Sequence, residues 1–231
     1  MGQRISKSVF DLVSEVCETD SRRLCGSNLV DHFPEVGPLA VKCGALRQGP
    51  TKTSVPDRAN HECRSITAEW DPETNRYRYF SLHARGWVTV PKDDLLTWNL
   101  DIDWLLLWIA GEFDVSLRTS PKTLVENHLW YVGISRVGHH QVSVFFTRRL
   151  HLGKVYDQVV DALRTKSGHS PGILLTTSKW SVRNITFPGE HRVATLQSCL
   201  ADDHSSARID MAHVRNILGV RGTEDVGRIL D

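Results

Sequence analysis

The spacing of the apolar residues changes partway along this chain, and that change confines it to folds that mix helices with antiparallel sheet. Near the start, Val9, Leu12, Val13 and Val16 recur at helical spacing with Asp11, Ser14 and Glu15 opposite, which predicts an amphipathic helix over 6–18. Val36, Leu39, Ala40, Cys43 and Leu46 predict a second helix over 34–48, weakened at its start by Gly37 and Pro38. A polar stretch, 48–60, reads as an exposed loop. From Arg64 the period is two. Ile66, Ala68 and Trp70 alternate with Thr67 and Glu69, and Asp71-Pro72-Glu73-Thr74-Asn75 supplies turn chemistry. Tyr77, Tyr79 and Phe80 then form a second strand and Gly86-Trp87-Val88-Thr89-Val90 a third, giving a small antiparallel meander.

Asp93 is placed to cap a short helix through Trp98, and Asp101 to open a helix over Trp104, Leu105, Leu107, Trp108 and Ile109. Apolar residues cover most of that helix's circumference, so it is expected to be buried. The stretch 116–127 reads as a linker. Beyond it, 128–137 and 141–149 flank Gly138-His139-His140 as a hairpin. A helix over 154–166, a short buried strand over 173–177 and a further hairpin, 184–187 with 192–196, follow. The segment 209–230 reads as helical with one interruption. The expected fold is therefore α+β, with short antiparallel sheets and hairpins, a buried Trp-rich helix and helices at both ends. Two domains are expected, 1–115 and 127–231.

Composition narrows the function classes. The formal charge is +1, from 28 Lys and Arg against 27 Asp and Glu, so a polyanion partner would have to be held by a local patch. The 5 cysteines lack paired spacing and read as reduced thiols of a cytoplasmic protein. The first sixteen residues carry charges within their apolar pattern and do not read as a signal peptide, and Trp104 to Ala110 is too short to cross a bilayer. No membrane partner is expected.

Two basic clusters carry the functional expectation. In IDMAHVRNILGVRGTEDVGRIL a first helix bearing Arg215 would end at Leu218-Gly219-Val220, and Thr223 would cap a second helix flanked by Arg221 and Arg228. That arrangement resembles a helix-turn-helix, whose second helix meets phosphates and base edges. The spacing from Gly219 to Val226 is one residue longer than the common pattern, and Gly227 weakens the second helix by about 1 kcal/mol relative to Ala. The plain alternative is a pair of short packing helices. The second cluster is Arg136, His139, His140, Arg148, Arg149, His151 and Lys154, with Tyr131, Phe145 and Phe146 between them, a composition suited to following a phosphate backbone. Its alternative is a solvated strand end.

Enzymatic chemistry finds less support. Gly168-His169-Ser170-Pro171-Gly172 is not a nucleophile elbow, and no Gly-rich phosphate loop is present. Asp157, Asp161 and Lys179 lack the clustered pattern of a metal-dependent nuclease. His61, Cys63 and His83 form only part of a zinc-ribbon ligand set, so zinc is doubtful and no other cofactor is indicated.

Taken together, GALRQG (44–49), ITAEWDPETNRYRYF (66–80), GWVTV (86–90), DWLLLWIA (103–110), LWYVG (129–133) and FFTRRL (145–150) resemble a family of uncharacterised bacterial proteins with no named activity. The resemblance implies paired cysteines around the first meander, like a small zinc ribbon, of which this chain keeps only Cys63. It also implies a longer C-terminal helical extension, shortened or absent here. The function expected is a non-enzymatic DNA-associated or regulatory protein in a mobile-element or phage-defence setting. The alternatives are a protein-interaction scaffold, with some of Trp70, Trp87, Trp130 and Trp180 as surface anchors or a second copy as partner, and an atypical nuclease or hydrolase.

Overall fold

A computed structural model describes residues 5–56, 65–115, 120–166, 172–178, 187–189, 191–202 and 206–220. The chain is α+β and divides into two compact units. The larger is formed by Met1–Glu18 with Ile102–Asp231, and the smaller by Thr19–Asp101. This division differs from the expected 1–115 and 127–231. The first helix belongs with the residues from Ile102 onward, through contacts that local periodicity does not report.

In the larger unit, α1 (Lys7–Glu18) buries the apolar stripe expected of it, Val9, Leu12, Val13 and Val16, together with Phe10 and Cys17. Phe10 meets Trp108 of α5 (Ile102–Glu112) with ring centroids 5.2 Å apart. Helix α5 buries Leu105, Leu106, Trp108, Ile109 and Ala110, and its C-terminal end is held to the sheet by the Ser135 hydroxyl, which donates to the Phe113 carbonyl at 2.5 Å. Among the described residues the sheet has five strands in the order β13-β12-β11-β10-β9, with β9 (Lys122–Val125), β10 (Leu129–Val137), β11 (His140–Thr147), β12 (Gly172–Thr176) and β13 (His191–Thr195).

Strands β9, β10 and β11 are antiparallel neighbours, whereas β12 runs parallel to β11 and β13 parallel to β12. The parallel step needs a crossover, supplied by α6 (Gly153–Lys166), whose Val155, Val159, Val160 and Leu163 pack on Leu129, Phe145 and Leu174. Strand β12 is buried along its whole length, as a strand covered on both faces must be. The stretch expected as a linker thus contains an edge strand, β9. Of the hairpin expected over 184–187 and 192–196, the described 191–195 form β13, which runs parallel to β12. Residues 184–186 lie outside the described residues. Strand β10 carries an irregularity between Tyr131 and Gly133, where a Cβ on Gly133 (φ +147°) would lie 2.4 Å from Val115 Cγ1. Among the described residues the final helix is α7 (Met211–Leu218), capped by the Asp210 carboxylate, which accepts from the Ala212 and His213 N–H groups. Gly219, at φ 69°, ends it as expected.

Among its described residues the smaller unit holds three short sheets. Strand β8 (Thr97–Leu100) lies between β1 (Arg23–Cys25) and β2 (Leu46–Gln48), and β3 (Ser54–Pro56) pairs with β4 (Ser65–Thr67). The third is the expected meander, β5 (Glu69–Asp71), β6 (Arg76–Ser81) and β7 (Gly86–Val90), with Asn75 at φ 53° in the first turn. Helices α2 (Gly26–His32), α3 (Val36–Lys42) and α4 (Lys92–Leu95) belong to the same unit. Three expectations are corrected here. The helix over 34–48 stops at Lys42 and gives way to β2. The loop over 48–60 contains β3. The helix expected through Trp98 ends at Leu95, begins after Pro91 with Asp93 inside its first turn, and Trp98 sits in β8.

Candidate functional site

The expected basic cluster does not assemble as one outward face. Arg136 is exposed near the hairpin tip, opposite Gln141. Arg148 lies at the other end of β11, about 20 Å away at the usual rise per strand residue. Its side chain is 1% exposed. Its Nε donates to the Cys17 carbonyl at 2.6 Å, and its Nη1 to the Asn127 carbonyl at 3.3 Å. Arg148 therefore fastens the end of α1 to the sheet. Arg149 is half-buried with φ 56°, while Lys154 at the start of α6 and Arg215 on α7 are exposed. Arg221, Thr223 and Arg228 lie outside the described residues, as do His61, Cys63 and Trp180. His83 is exposed in the turn between β6 and β7. Among the described residues no three His, Cys, Asp or Glu side chains gather as a metal-binding group.

Two other arrangements stand out. The first, in the larger unit, centres on Glu18. Its carboxylate accepts the Arg149 N–H at 3.1 Å from each oxygen, the Thr177 hydroxyl at 2.5 Å and the Ser178 hydroxyl at 2.9 Å. His151 Nδ1 stands 3.4 Å away. These partners follow the carboxyl ends of β11 and β12, and Asp11, Glu15, Thr177 and Gln197 help line a cleft of about 770 Å³ beside them. Open α/β sheets favour ligands at that edge. The chemistry, however, is that of a latch. The Ser178 hydroxyl donates to Glu18 and accepts the Leu150 N–H at 3.1 Å, and His151 faces Glu18, so nucleophile, base and orienting acid do not follow one another.

The second arrangement, in the smaller unit, is the meander. Alternation along β6 turns Tyr79 and Ser81 inward, onto a core with Val55, Ala68, Val90 and Leu95, and leaves Arg76 and Phe80 exposed with Arg78 between them. Trp87 on β7 lies directly opposite Phe80, with ring centroids 5.7 Å apart and planes at 81°. Phe80 is 48% and Trp87 55% exposed. The Arg78 guanidinium sits 4.4 Å from the Trp87 ring centre and is held from behind by Asp71 at 2.9 Å. The Asp71 carboxyl lies below its ordinary range, chiefly through the hydrogen bond from the Thr74 hydroxyl, with burial opposing and the Glu73 N–H and Arg78 adding to the effect.

Around the edge of the same sheet a cleft of about 1020 Å³ is lined by Trp70, Asn75, Arg76, Tyr77, Thr89 and Lys92 among others. Trp70 meets Tyr77 edge-on at 5.0 Å. Two cations and no carboxylate appear in that described lining. Sequence reasoning raised Trp70 and Trp87 as surface anchors, and both are about half exposed. Trp130 is buried against Phe146. Arg76, Arg78 and Phe80 were recognisable from strict alternation in RYRYF, where the residues flanking each tyrosine must face away from the core. Glu18 carried no such signal, because its partners are 131 to 160 positions away.

No protein-family model matches this chain, and comparisons with curated proteins and with solved structures return no match. No helix among the described residues is long and apolar enough to cross a membrane.

Proposed function

We propose that this is a non-enzymatic, nucleic-acid-associated or regulatory protein, and that it engages its polyanion through the meander of the smaller unit. The observation that carries the reading is the lining of the cleft, where Arg76 and Lys92 accompany Trp70 and Tyr77 and no carboxylate stands among the described residues. Guanidinium and ammonium groups neutralise phosphates, and flat rings accept the apolar faces of bases. DNA is the ligand proposed. The test is fluorescence anisotropy of labelled DNA, duplex and single-stranded, titrated with the full chain at low and at high salt. Binding at low salt that weakens steeply with salt is expected, because counterions are released from each contacted phosphate. Absence of binding to either form at low salt removes the proposal.

A protein-interaction scaffold is the second reading, favoured by Leu82, which is 81% exposed in the turn beside the Phe80 and Trp87 rings. It gains if DNA fails to bind while Leu82→Ser reduces association of the chain with itself or with a protein partner.

A further inference from the structure

We infer that the outer face of the β6–β7 hairpin is a stacking platform for unpaired bases, so that the DNA bound is single-stranded. This deepens the nucleic-acid reading and rests on it. Phe80 and Trp87 stand at 81° to each other, and each exposes about half of its surface. Two rings so arranged form an open corner. A planar base laid on one ring presents its edge to the other, the geometry that aromatic pairs themselves prefer. Bases inside a duplex hide their faces in the stack, and a ring on a flat sheet surface reaches those faces only when the strand is unpaired.

The cations beside the corner suit a phosphate chain. Arg78 covers part of Trp87 and is fixed there by Asp71, so little of its freedom remains to be lost on binding. Arg76 precedes it on the same exposed side of β6, and Arg85 is exposed in the turn at φ 53°. The carboxylates of this sheet and its first turn are Asp71, buried and engaged by Arg78, and Glu69 and Glu73, both exposed. Glu69 lies across from Arg78 and Glu73 in the opposite turn, so among the described residues of this sheet the Phe80–Trp87 end of the hairpin is flanked by Arg85 and not by an acid. Stacking and phosphate contact need no 2′-hydroxyl, and the occupant is single-stranded DNA.

The test compares four labelled probes of equal length against the full chain by anisotropy: oligodeoxythymidylate, the same strand with abasic residues, a DNA duplex, and oligouridylate. Oligodeoxythymidylate is expected to bind most tightly and to quench tryptophan fluorescence. Removing the bases, or making Trp87→Ala or Phe80→Ala, is expected to weaken it by about 5- to 150-fold for each base stacked. Because the abasic comparison uses the unaltered protein, it stands even if a variant folds poorly. Abasic strand or duplex bound as tightly as the thymidylate strand overturns the platform while leaving the nucleic-acid reading intact. Tighter binding of oligouridylate overturns the choice of DNA. Failure of every probe at low salt removes both readings together.

Discussion

Replacing Glu18 by alanine probes whether the larger unit depends on its latch. Three donors converge on the carboxylate: the Arg149 N–H at 3.1 Å, the Thr177 hydroxyl at 2.5 Å and the Ser178 hydroxyl at 2.9 Å. Such bonds contribute about 0.5–1.5 kcal/mol each in net terms, and up to about 3 kcal/mol when one partner is an ion. The Glu18 side chain is 20% exposed, so water recovers part of what is lost and the lower figures apply. Glu18→Ala is therefore expected to destabilise the larger unit by about 2–4 kcal/mol. Glu18→Gln keeps the shape and one carbonyl acceptor but loses the charge, and should cost about 1–2 kcal/mol. Urea unfolding followed by circular dichroism reads both, as a lowered midpoint at unchanged slope. If Glu18→Ala falls within about 0.5 kcal/mol of the parent, the carboxylate is not a latch. The cleft beside it then has to be reconsidered as a ligand site.

Arg148→Ala should lower stability by about 2–4 kcal/mol, because it removes two hydrogen bonds and opens a void, yet leave DNA affinity of the folded protein unchanged in the anisotropy titration. A large affinity loss in the folded variant would return Arg148 to the binding surface. His191 is buried against Phe145 with neither ring nitrogen hydrogen-bonded among the described residues, and burial lowers its pKa below 6.5. The unfolded chain then takes up the proton first, so stability is full above about pH 6.5 and falls as the pH drops towards the lower folded value. His191→Gln should flatten that decline when unfolding midpoints are compared at about pH 5 and about pH 8, and an unchanged decline would contradict the assignment. Burial raises the Cys199 thiol to about 11, and Cys17 is buried too, so native thiol labelling should reach Cys25 and Cys43 before Cys17 and Cys199. Early labelling of Cys199 would show that this core opens.

Where structure followed local pattern, the sequence was a good guide. The stripe in 6–18, the Asp71–Asn75 turn, the Gly138 hairpin and the Gly219 helix end all appear where their residues demanded them. Short strands give no such signal. Strands β2, β3, β8 and β9 each span only three or four residues, too few for a period to show. The parallel pairing of β11 with β12 was likewise hidden, since a buried parallel strand and a buried antiparallel one read alike. Charge misled for a related reason. An arginine in a strand-end cluster looks solvated in sequence, and only the fold shows Arg148 turned inward onto backbone carbonyls. The meander, by contrast, displays its outward residues through strict alternation, and Arg76, Arg78 and Phe80 follow that rule.

Photo-crosslinking of the full chain to single-stranded DNA, with the attached peptides mapped by mass spectrometry, asks where the polyanion lies. Crosslinks concentrated between Trp70 and Lys92, lost in Trp87→Ala, are the predicted result. Crosslinks confined to the hairpin around Arg136 and His139 would contradict the placement.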